Sequence, residues 1–176
     1  MTKDLGFPST DFPGPPPFRF AIPEGWQAVP SVEADAVVVG PEAIDGVHPN
    51  VVITNHKVRA TDDPAIALRN LVDKQLNRPE VIEGDDITFG GPDGRACSVR
   101  LTRRAGPNRS GETGEHNDGD SNGDTAASDV TIGQSLNLCY IPGEHVAHVL
   151  AATGTYAATG GASRDTVESV IKSILY

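Results

Sequence analysis

The stretch VTIGQSLNLCYIPGEHVAHVLAAT, residues 130–153, holds two apolar runs on either side of the turn Pro142-Gly143-Glu144. In the first run Leu136, Leu138 and Tyr140 recur at every second position, the period of a half-buried strand. The second, His145 to Thr153, is short, apolar and free of proline, so it pairs back on the first as a hairpin. A fold built around this hairpin needs something to cover it. Beyond a glycine-containing connection, 154–161, Val167, Val170, Ile171, Ile174 and Leu175 form a helical stripe suited to lie across a sheet face. Ser163 or Asp165 is the expected N-cap of this helix, the latter with Glu168 as its capping-box partner.

Working toward the amino terminus, residues 104–129 are rich in Gly, Asp, Asn and Ser and nearly lack apolar side chains. Such a segment buries too little surface to offset its ordering entropy and is expected to be a flexible acidic loop. Before it, Val81 to Phe89 and Arg95 to Arg103 read as strands joined by Gly90-Gly91-Pro92-Asp93-Gly94. Asp63-Pro64 suits an N-cap followed by proline at the first helical position. The period then changes to Leu68, Leu71, Val72 and Leu76, a helix that ends near Asn77 ahead of Pro79. Asn50 to Lys57 and Ala36 to Val39 are further strands, and Phe18 to Ile22 is expected to be the first. Residues 1–17, with Pro15-Pro16-Pro17, form a proline-rich tail. The order of strands, helix, strands and helix with hairpin links specifies an α+β fold, a mostly antiparallel sheet with amphipathic helices packed on it. It occupies residues 18–176 as one domain.

The formal net charge of -10 opposes nucleic-acid binding, which depends on neutralising phosphates. Arg100, Arg103 and Arg104 are the densest basic cluster and are placed at the solvated end of a strand. Neither an apolar leader nor an uninterrupted apolar run long enough to cross a bilayer is visible, so no membrane insertion and a cytoplasmic location are expected. Cys97 and Cys139 lie in strand segments with opposite orientation relative to their apolar neighbours, which favours two reduced, packed thiols.

Chemical motifs are sparse. Asp118, Asp120, Asn122, Asp124 and Asp129 approximate the oxygen spacing of a calcium loop, with Gly123 at the sharp turn. The closing Glu is replaced by Asp129, Thr125 stands where an apolar residue is usual, and no helices flank the loop. A solvated acidic loop is favoured, and calcium is the one cofactor the sequence brings into question. His145 and His148, three apart on a strand, face opposite ways and make poor joint ligands. No zinc-hydrolase, phosphate-loop or nucleophile-elbow pattern occurs, so no catalytic residue is assigned and a non-enzyme is expected. Trp26, after Pro23-Glu24-Gly25, reads as a core anchor.

The segments Ile22-Pro23-Glu24-Gly25-Trp26 and His48-Pro49-Asn50-Val51-Val52-Ile53-Thr54, followed by a capped helix and long hairpins, resemble the Mog1/PsbP-like superfamily. Within it the likeness is greatest to the actinobacterial LpqN and LpqT type of lipoprotein family, here without a signal peptide or lipid-attachment cysteine. The resemblance implies an α/β/α sandwich, supplies no catalytic motif and points to binding. The functional expectation is thus an adaptor or chaperone-like module contacting an unidentified protein partner. A carrier for a small apolar ligand or lipid, lined by Trp26, Phe89, Leu136, Leu138 and Tyr140, is the alternative, and an enzyme of unknown type is third.

Overall fold

The computed structural model describes residues 14–41, 45–104 and 130–176. Its elements in chain order are β1 (Gln27–Ala28), β2 (Ala36–Val39), β3 (Asn50–Arg59), α1 (Pro64–Leu76), β4 (Val81–Gly84), β5 (Thr88–Gly90), β6 (Ala96–Arg104), β7 (Thr131–Ile141), β8 (Val146–Ala157) and α2 (Gly161–Lys172). All strands join one antiparallel sheet in the order β1-β2-β3-β8-β7-β6-β4, with β5 also paired to β6. The α+β architecture is as expected.

Side-chain alternation sorts the sheet into two faces, each covered by one helix. On the first, Cys97, Val99, Leu136, Leu138, Tyr140, Val149 and Ala151 pack beneath Ala67, Leu68 and Val72 of α1. On the second, Val38, Val51, Ile53, Leu150, Ala152 and Tyr156 pack beneath Val167, Val170 and Ile171 of α2. Strand β8 contributes to both layers. Ala147, Val149 and Ala151 face α1, while Leu150, Ala152 and Tyr156 face α2, which explains its nearly uninterrupted apolar run.

Helix α1 begins where local chemistry dictates. Asp63 Oδ1 accepts from the Ile66 amide at 3.1 Å, and Pro64 occupies the first turn, where its missing N–H costs nothing. Helix α2 begins two residues ahead of the expected cap at Ser163. Gly160 is its N-cap and makes no side-chain capping bond, Ser163 is buried, and Asp165 lies inside the helix. The capping-box role expected of Glu168 is therefore corrected: its carboxylate turns toward the sheet.

Two strands also differ from expectation. Phe18 to Ile22 makes only an isolated bridge, Arg19 with Leu175, through backbone bonds of 2.9 and 2.8 Å. Proline at 17 and 23 removes amide donors on both sides, and the stacked rings of Phe18 and Phe20, 6.1 Å apart, pack against the α2-side core instead. The run from Val81 to Phe89 is two strands, with a register shift between Val81 and Glu83 and a break where the Asp85 amide bonds the Arg100 carbonyl at 2.9 Å. The connection expected to start at Gly154 starts later, because β8 continues to Ala157.

Candidate functional site

The α2 side of β6 and β7 is polar where the α1 side is apolar. Cross-strand register places Ser98 opposite Asn137, Arg100 opposite Ser135, and Thr102 opposite Gly133, all on the α2 side. Helix α2 packs on β8, β3 and β7. It does so closely because Gly154 has no side chain where Val167 and Ile171 sit. The face of β6 beyond α2 is left as a shelf. Its far bank is the β4–β5 segment, carrying Glu83, Asp85 and Asp86, and its near bank is α2, carrying Arg164, Glu168 and Lys172. Two hollows of about 230 and 300 Å³ adjoin along it and share Asp85 and Arg100.

One network braces the shelf from sheet to helix. Arg100 Nε donates to Glu168 Oε1 at 2.7 Å and Nη2 donates to Oε2 at 3.0 Å, a two-pronged charged pair. Ser135 Oγ donates to Glu168 Oε1 at 3.1 Å and lies 3.3 Å from the Tyr156 hydroxyl. Lys172 Nζ stands 3.7 Å from Glu168 Oε2. Glu168 is only 9% exposed. The hydrogen bonds from Arg100 hold its carboxyl below the ordinary range although burial opposes this, and the same contact raises the Arg100 guanidinium. Glu168 is thus an ionised, fully engaged acceptor. Among the described residues, neither hollow is lined by a histidine or a cysteine. What the lining offers chemically is charge of both signs along two banks and hydrogen-bonding groups on the floor.

The sequence-derived candidates lie elsewhere. Leu136, Leu138 and Tyr140 do come together, buried beneath α1. Trp26 packs on the opposite side with the α2 core, and Phe89 is 38% exposed on β5, so the five residues share no common lining. Asp118, Asp120, Asn122, Asp124 and Asp129 fall outside the described residues. His145 is exposed, whereas His148 is buried, with Nδ1 2.9 Å from Asn55 Oδ1. Arg100 is not at a strand's solvated end but in the middle of β6, and Arg103 stands 3.8 Å from Glu80. The signal for the shelf was present in Ser98, Arg100 and Thr102, a polar parity opposite Cys97, Val99 and Leu101. Glu168 was visible as a charge one position after Val167 in the apolar stripe.

In structural comparison the chain matches the crystal structure of LpqN, involved in cell envelope biogenesis of Mycobacterium tuberculosis. The TM-score is 0.61 at 18% identity, over 92% of this chain and 84% of that one. The fold is LpqN-like. A crystal structure from Bacteroides thetaiotaomicron matches with a TM-score of 0.50 at 13% identity, over 90% of this chain and 44% of that one. No family model matches the chain, and neither does any curated protein. Among the described residues, no helix is long and apolar enough to cross a membrane.

Proposed function

We propose that the chain is a cytoplasmic, non-enzymatic binding module of the Mog1/PsbP-like superfamily, and that it engages a protein partner through the shelf between α2 and β4–β5. The observation that carries this reading is the braced, open floor of β6 and β7. Arg100, Glu168 and Ser135 are held in place by one another, so a partner meets side chains whose ordering cost is already met by the fold. The lining favours association over catalysis, because the carboxylate beside the Ser135 hydroxyl is held by Arg100 in its charged form, its pKa below the ordinary range, which makes it a weak base toward that hydroxyl. LpqN's involvement in envelope biogenesis is compatible with a binding role.

Native mass spectrometry of the protein purified gently from the cytosolic fraction of its own host tests this reading. The wild type is expected to retain a stoichiometric protein partner, and Ser98→Trp with Thr102→Trp, which fills the two hollows, is expected to lose it. A partner kept by both forms places the contact elsewhere and overturns the shelf. A retained lipid or metabolite without any protein overturns the adaptor reading in favour of a carrier.

A further inference from the structure

Resting on that reading, we infer that the shelf takes one extended peptide segment in which acidic and basic side chains alternate. Three features of the shelf point to this occupant. The first is the floor. Ser98, Thr102 and Asn137 are partly exposed and make no side-chain hydrogen bond among the described residues, so they are available to the backbone of a chain lying across them.

The second is the separation of charge. Glu83, Asp85 and Asp86 stand along the β4–β5 bank, and no ion pair engages them among the described residues. Arg164 and Lys172 stand along the α2 bank, where, among the described residues, Lys172 pairs with the carboxylate that Arg100 already neutralises and Arg164 lies 3.3 Å from its neighbour Asp165. Successive side chains of an extended segment point to opposite sides. One parity of such a segment therefore meets carboxylates, and the other meets cations.

The third is spacing. Arg164, Glu168 and Lys172 follow one another at four-residue intervals on one face of α2. Arg164 and Lys172 are two turns apart, about 12 Å at a rise of roughly 1.5 Å per residue. An extended chain advances about 13 Å over four residues, so two side chains of the same parity, at i and i+4, align with the two cations. Positions i+1 and i+3 then face the acidic bank. The residue between them, i+2, meets the Arg100–Glu168 pair, where a small polar side chain fits and a charge is opposed by one member of the pair. The motif is acidic, basic, small, basic, acidic.

Fluorescence anisotropy with the full chain at low ionic strength tests this, using the labelled peptide Glu-Lys-Ser-Lys-Glu and its block isomer Lys-Lys-Ser-Glu-Glu, both end-capped. The alternating peptide is expected to bind at least tenfold more tightly, and the preference is expected to shrink as salt shortens the reach of the charges. Arg164→Glu with Lys172→Glu, both at exposed positions, is expected to reverse the preference toward Lys-Lys-Ser-Lys-Lys, with a cooperative thermal transition showing that the variant is folded. Equal binding of the two isomers, or binding of neither, overturns the inference. If the native partner is still lost on filling the hollows, the binding-module reading survives that failure. Discrimination between the peptides with no retained native partner keeps the peptide site and overturns only the stably bound, stoichiometric partner.

Discussion

Glu168 is the residue on which the shelf depends, and its behaviour with pH follows from its partners. Its folded pKa lies below the unfolded value, so its contribution to stability is complete above about pH 4.5 and is lost as pH falls through the depressed folded value. His148 acts earlier in an acid titration. Burial, and then Lys57, lower its pKa, so it favours folding above about pH 6.5 and its contribution is lost as pH falls toward the folded value; His56, lowered by burial and Lys74, shares that window. Denaturant unfolding between pH 7 and pH 3 is expected to show both losses. Glu168→Gln should cost about 2 kcal/mol at pH 7, as for a charged hydrogen bond, and should remove the lower step while leaving the upper one. If the variant keeps the lower step, Glu168 is not its source. The sequence hid this residue for a specific reason. Glu168 sits three positions after Asp165, the signature of a local cap, whereas the partner that captures it, Arg100, is sixty-eight residues away. A tertiary ion pair outcompeted a local capping bond to the backbone.

At the scale of elements, legibility tracked how local the governing chemistry is. Helix α1 was readable to its cap because Asp63, Pro64 and the apolar stripe all act within the segment. Helix α2 was readable in its stripe but not in its start, since Gly160 and Gly161 carry no side-chain capping signal. Strand β8 was readable, but its reach to Ala157 was obscured by Gly154, which looked like the start of a loop. In the fold that glycine is a contact point: a methyl group there meets Val167 and Ile171. Gly154→Ala is expected to lower stability by about 2 kcal/mol through overpacking, measured by thermal or denaturant unfolding. A neutral effect would mean that α2 can shift outward freely. Such a shift is opposed by the bonds Glu168 makes across the shelf.

Across the whole molecule, the antiparallel sheet and the two covering helices could be inferred from period changes alone, but the site could not. A shelf exists only once β6 is known to extend past α2 and β4–β5 is known to border it, and both facts are matters of strand order. The same reasoning explains why Trp26 and the Leu136, Leu138, Tyr140 row were grouped as one lining. All are apolar or aromatic in sequence, yet parity and topology send them to opposite sides of the sheet.

The pairing of β3 with β8 has a consequence in time rather than in space. Asn50 lies opposite Thr155 and Arg59 opposite Val146, so the middle of the sheet joins segments made far apart during synthesis. Until β8 emerges, β3 has β2 on one side and an open row of amides and carbonyls on the other. Such non-local closure is slow, and refolding is expected on the millisecond-to-second scale, about that of other sheets with distant pairings. Stopped-flow Trp26 fluorescence would measure it, and microsecond refolding would contradict it. A nascent chain halted before residue 146 would present Val51 and Ile53 without their cover. In the cell, such an uncovered edge is expected to need holding factors until β8 arrives.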